Sequence, residues 1–199
     1  MTITASLVKE LREITGVGMM ECKKVLVETE GDLQAAQDLL RTRGLAKAEK
    51  KAGRIAAEGA VIFAVGPAAA ALVEVNSETD FVARDDNFKS FAQKAADLVL
   101  ANKPADTDAL AALDMGGKSF ADARSELIAK IGENVTVRRF QIITPKGAVG
   151  SYIHGGRIGV IADVLGGDED LARDIAMHIA ASAPICISED DVPAEELER

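Results

Sequence analysis

The sequence predicts an α+β fold, with an N-terminal three-helix unit followed by a core of two repeated subdomains, each an antiparallel hairpin or small sheet with helices. Three observations predict it. Apolar residues recur at helical spacing between cap signals over roughly the first 44 positions. From Gly59 the pattern changes to short apolar runs bounded by Gly and Pro. That second pattern occurs twice, with corresponding helices about 80 residues apart, too long a period for a solenoid and so a duplicated subdomain.

The first helix places Leu7, Leu11 and Ile14 on one face after a Thr4 cap. A second runs from Met19 to Thr29, and a third from Leu33 to Arg43 after Asp32, stopped by Gly44. Gly16-Val17-Gly18 makes a tight connection that throws Met19 and Met20 forward. Two adjacent methionines on a helix cannot both face one core, so one is left for outside contact. These residues form a domain over 1–45, too small to be firmly stable undocked. Residues 46–58 are read as a basic linker or helix, where Lys47, Lys50, Lys51 and Arg54 make a solvated charged stretch.

The first core subdomain spans 59–144. It opens with a strand near Gly59 to Val65, a turn at Gly66-Pro67 and a strand from Ala70 to Asn76. A helix follows with Phe88, Phe91, Ala95, Leu98 and Val99 on one face. Then come a helix from Lys118 to Ile131, closed by Gly132, and a strand from Asn134 to Ile143 that completes a three-stranded antiparallel sheet. The second subdomain, 145–199, repeats the opening: a strand near Val149 to His154, a turn at Gly155-Gly156 and a strand from Arg157 to Leu165. Its helix aligns Leu171, Ile175, His178, Ile179 and Ser182, which makes His178 a packed core residue. The chain ends soon after Pro193, a residue able to begin a helix. No partner for a third strand appears, and an open two-stranded sheet invites pairing with a second copy of the chain or disorder beyond about Ala183.

Bulk properties exclude several classes. A net charge of -9 argues against nucleic acid as a direct partner, although residues 1–55 hold 10 of the 23 basic side chains and 8 of the 32 acidic ones. No apolar run reaches the roughly 20 residues that span a bilayer, and MTITASLVKE lacks the basic start and apolar segment of a secretion signal. A cytoplasmic protein without membrane contact is expected. Cys22 and Cys186 match no metal or redox spacing. His154 and His178 stand apart from Cys, Asp and Glu at ligand spacing, and none of the glycine pairs belongs to a phosphate-binding fingerprint. No enzymatic chemistry, cofactor or metal is expected.

The segment that stands out is Asn76 to Phe88, which joins a strand to a helix. Connectors favour Gly, Pro, Asn and Asp, yet this one carries Phe81 and Val82 between Asp80 and Arg84. Such an aromatic either serves as an anchor for a pocket on a partner or folds back as a lid on its own sheet.

Thr79-Asp80-Phe81-Val82-Ala83-Arg84, with Val73-Glu74-Val75-Asn76 before it, resembles the signature of the bacterial elongation factor Ts family. Thr15 to Lys24, Lys130 to Asn134, His154 to Val160 and Ile175 to Ser182 also resemble it, in the family's order and over nearly the whole chain. The resemblance implies a guanine-nucleotide exchange factor for the GTPase elongation factor Tu. It implies a ubiquitin-associated-like fold for the first three helices, docked on the GTPase domain through Met19 and Met20, and a contact at His154. It implies that Asp80 and Phe81 enter near the Mg²⁺ and phosphates of the GTPase, with Thr79, Val82 and Arg84 in the same contact. Family members carry further sequence after the second subdomain, so the chain looks short against the common pattern. The competing expectation is a binding adaptor that uses the N-terminal helices and has no exchange activity; binding by residues 1–55 alone would support it.

Overall fold

The computed structural model describes residues 3–197. Helix α1 (Ala5–Thr15) begins where the Thr4 hydroxyl accepts a hydrogen bond from the Leu7 amide, 3.3 Å away. Helix α2 (Met19–Glu28) follows. Helix α3 begins at Leu33, capped by Asp32, whose Oδ1 accepts from the Ala35 amide at 2.9 Å. Val8, Leu11, Cys22, Val25, Leu26, Ala36 and Leu40 make the small core of the three helices.

Here the structure departs from the sequence expectation. Gly44 does not stop α3, which runs Leu33–Lys51 and takes in the first six residues of the segment read as a linker or helix. The reason lies in packing. Gly44 is buried against helix α7 (Phe120–Ile131), and a Cβ at this position would sit 3.4 Å from the Ala129 Cβ. The glycine is a notch where two helices cross closely. Ala48, one turn further on, joins the core of the following subdomain, so α3 belongs to both units.

Strands β1 (Glu58–Val65), β2 (Ala70–Ser77) and β3 (Val135–Ile143) form an antiparallel sheet in that order. Helix α5 (Asp86–Asn102) lies across it, and α7 closes the layer. Between them is a short helix, Thr107–Ala111 (α6), that the sequence pattern did not reveal. Phe88, Phe91, Val99, Leu110, Phe120 and Ile128 pack on Val73, Val75 and Val135. Glu74 pairs with Arg139 and Val75 with Val137, so Arg138 is the extra residue of a β-bulge. It turns Arg138 and Arg139 both outward and returns Phe140 to the apolar layer.

The second subdomain pairs β4 (Ala148–His154) with β5 (Ile158–Val164), and helix α8 (Glu169–Ser182) lies on them. The expected apolar stripe of α8 is rotated. Ala172 and Ala176 are buried, while Leu171 and His178 are exposed, so His178 is not a core residue. Close approach explains this: a Cβ on Gly150 would fall 2.0 Å from the Ala172 carbonyl carbon, so α8 rests its backbone on β4. Only small side chains fit beneath it, and the larger ones flank the contact. The hairpin also meets the first sheet, with the Val61 amide donating to the Gly156 carbonyl at 2.8 Å. A 3₁₀ turn (Glu189–Asp191) and helix α9 (Ala194–Leu197) follow. Glu198 and Arg199, read with the segment after Pro193, lie outside the described residues.

Candidate functional site

The residues singled out by sequence sit on three elements. Thr79 to Arg84 is not an irregular loop. Thr79 caps a single helical turn, α4 (Asp80–Arg84), between β2 and α5. The turn is tethered on its inner side by Val82, only 8% exposed, and presents Phe81 outward at 81% exposure. Of the two fates open to this aromatic, folding back as a lid is therefore not the one adopted. Asp80 and Arg84 form an i,i+4 ion pair at 3.0 Å on the exposed side, where such a pair adds little to stability.

The rigidity of the turn comes from residues whose role sequence reasoning missed. The Glu133 carboxylate takes two hydrogen bonds from Thr79: from its amide at 2.9 Å and from its hydroxyl at 2.7 Å. Ser77 donates to the Thr79 carbonyl at 2.9 Å. Glu78 accepts from the Asn134 amide at 2.7 Å, and its other oxygen lies 3.5 Å from Arg54. Asn134 in turn donates to the Arg54 carbonyl at 2.9 Å. The chain just after α7 thus acts as a strut under the turn. Lys130 to Asn134 carried part of the family resemblance but no role, and the local signal, two polar residues directly after the helix-ending Gly132, is equally good for an ordinary helix end.

The far end of the turn is fixed too. Asp85 is the N-cap of α5, accepting from the amides of Asn87 at 2.8 Å and Phe88 at 3.3 Å. A hydrogen bond from the Asn87 side chain, those amides and nearby Lys130 hold its carboxyl below the usual carboxylate range, against an opposing effect of burial. Lys130 also donates to the Asn87 side-chain oxygen at 2.6 Å.

Met19 and Met20 open α2, and both are exposed, at 43% and 69%. Neither packs inward, since Cys22, Val25 and Leu26 fill the inner face. A surface cleft has Thr15 of α1 on one wall, Asp86 and Asn87 of α5 on the other, and Lys130 between them. The connection leading to the methionines therefore lies beside the helix that follows the Phe81 turn. His154 is exposed at the end of β4, its Nδ1 3.1 Å from the Tyr152 hydroxyl. Among the described residues no cluster of His, Cys, Asp and Glu could hold a metal ion, and no helix is long and apolar enough to cross a membrane.

The arrangement is one of presentation: an exposed aromatic and a carboxylate on a braced turn, with exposed methionines on a neighbouring helix. Comparison with known proteins supplies the family. The family profile described as elongation factor TS matches residues 78–199, which begin at the braced turn. The chain is 58% identical over 203 residues to elongation factor Ts of Thioalkalivibrio sulfidiphilus, covering all of this chain and 69% of that protein. The chain belongs to the elongation factor Ts family.

Other relatives give the same picture. Elongation factor Ts of Alkalilimnicola ehrlichii is 57% identical over 202 residues, with 100% of this chain and 69% of the relative aligned. That of Arthrospira platensis is 54% identical over 200 residues, with 99% and 81% aligned. Membership of the elongation factor Ts family makes the chain a translation elongation factor of the nucleotide-exchange class.

Proposed function

We propose that the chain binds elongation factor Tu and promotes release of its GDP during translation elongation, acting by differential binding without bond chemistry. The observation that carries this reading is Phe81, a large apolar side chain held in water on a turn tied down from both sides. Aromatic anchors on rigid supports contribute most where they leave water for a partner's pocket.

In this reading Phe81 acts as a wedge between elements of the GTPase, and Asp80 brings a negative charge toward the Mg²⁺ that bridges the GDP phosphates. That ion neutralises phosphate charge, so disturbing its surroundings weakens nucleotide binding. Linkage fixes the rest: a factor that binds the empty GTPase more tightly than the GDP form must weaken GDP by the same ratio. Val82 anchors the turn, Thr79 caps it, and Arg84 orients Asp80 until the partner arrives. Met19, Met20 and His154 extend the contact, so that the wedge acts on a GTPase already held.

The test is release of fluorescent GDP from elongation factor Tu. The native chain should accelerate release in proportion to its concentration. Phe81→Ala, which removes a hot-spot contact of about 2 kcal/mol, should lower the second-order rate roughly 30-fold. Equal rates for the two proteins would reject the wedge, and no acceleration by the native chain would reject the exchange function.

A further inference from the structure

Within the segment Lys130 to Asn134, Glu133 and Asn134 brace the Phe81 turn. Lys130, at the other end of the segment, reaches elsewhere. It stands exposed in the last turn of α7, where the helix dipole favours a cation, and its side chain leaves that helix to meet two others.

On one side it meets the connection that leads to the methionines. Gly16 ends α1 with a φ of 67°, and a Cβ there would lie 3.2 Å from Lys130 Cε and 3.2 Å from its Nζ. The lysine stem therefore occupies the space that a side chain at position 16 would take. On the other side Nζ donates to the Asn87 side-chain oxygen at 2.6 Å. Asn87 is held in turn, since its side-chain nitrogen donates to Asp85 at 2.9 Å. The Asp85 carboxyl, lowered chiefly by that Asn87 bond, also feels the Lys130 charge. Glu126, one turn earlier on α7, is already held by Lys118 at 2.6 Å. One side chain thus spans from the residue three places before Met19 to the capping group four places after Phe81.

The need for such a tie follows from how the three-helix unit is carried. Helix α3 joins it to the core, with Gly44 near the middle of that helix. Glycine is the least constrained residue a helix can hold, so a unit attached through α3 alone would be free to tilt about it. A second point of attachment removes that freedom. Where two contacts bind one partner, the stiffness between them sets the effective concentration of the second once the first has formed.

We propose that Lys130 is a positioning residue for exchange: it clamps the Gly16 connection to the start of α5 and so fixes where Met19 and Met20 stand relative to Phe81. The inference rests on the joint contact proposed above, and it gives Lys130 no contact with the GTPase itself.

The test begins with the free whole chain, ¹⁵N-labelled and weakly aligned. Residual dipolar couplings of α1 and α2 and those of α5 and α7 should fit one alignment frame in the native protein and in Lys130→Arg, which keeps the charge and the reach. In Lys130→Ala the couplings of α1 and α2 should shrink and need a frame of their own. GDP release from elongation factor Tu is then measured against chain concentration. Lys130→Ala should lower the saturated rate about 5-fold and leave the half-saturating concentration within about 2-fold of native, and Lys130→Arg should recover most of the rate. Partial unfolding would do the reverse, raising the half-saturating concentration with the saturated rate unchanged. A common frame for α1, α2 and the core in Lys130→Ala overturns the proposal whatever the release rate, since loss of rate alone would make Lys130 a direct contact. A second frame with native release kinetics overturns it too. Should the native chain fail to accelerate release, the exchange reading falls, and the couplings by themselves still decide whether Lys130 holds the two elements together.

Discussion

Phe81 makes almost no contact with its own chain, so its removal should leave stability unchanged within about 0.5 kcal/mol. Urea unfolding of Phe81→Ala would check this, and it separates loss of exchange from loss of fold. Glu133 is the opposite case. Its carboxylate accepts two hydrogen bonds from Thr79, and bonds to charged groups contribute about 1.5–3 kcal/mol. Glu133→Ala should lower the urea midpoint by a corresponding amount and reduce exchange as well, since the turn loses its brace while Phe81 remains. Asp85 gives a pH signature. Its carboxyl is held below the ordinary range in the fold, by the Asn87 side chain first, so its stabilisation is present above the unfolded pKa and disappears as pH falls through the lowered folded value. Unfolding measured from about pH 6 down to about pH 3 should show a shallower loss of stability in Asp85→Ala than in the native chain.

At the scale of the elements, Gly44 shows how far the sequence could be read. A glycine after a helical run is a stop signal, and only the partner helix shows that it is a crossing point instead. A Cβ there would make ordinary contact with Ala129, so Gly44→Ala should raise stability by about 0.5–1 kcal/mol through helix propensity. Gly44→Leu should lower it by about 1–3 kcal/mol, because α3 and α7 would have to separate. Thermal melts of the two variants should shift in opposite directions. The same blindness explains α8. Its spacing fitted a stripe through Leu171, Ile175 and His178, but Gly150 lets the helix backbone approach so closely that the alanines face the sheet. The strands, by contrast, were legible to within one or two residues because alternation and bounding turns define them locally. Phe81 stood out because it broke that local pattern. Glu133 and Asn134 did not, since their importance comes from Thr79 and Glu78, more than 50 positions away in the chain.

Across the whole molecule, long-range ties of this kind join the parts. Helix α3 completes the N-terminal core with Ala36 and Leu40 and the next core with Ala48. Lys51, at its end, donates to the Gly132 carbonyl, directly before Glu133. The three helices and the Phe81 turn are therefore tied to one piece of backbone, as the proposed joint contact through the α2 methionines and the α4 aromatic requires. The central claim is that this aromatic passes from water into the nucleotide-free GTPase. Because the chain contains no tryptophan, Phe81→Trp made with 5-fluorotryptophan provides a single ¹⁹F reporter, once its exchange activity is verified. On addition of nucleotide-free elongation factor Tu its resonance should shift and lose its sensitivity to H₂O/D₂O exchange, with a much smaller change when the GDP-bound form is added at the same concentration. A complex that forms while the resonance stays at its free, solvent-exposed position would contradict the account.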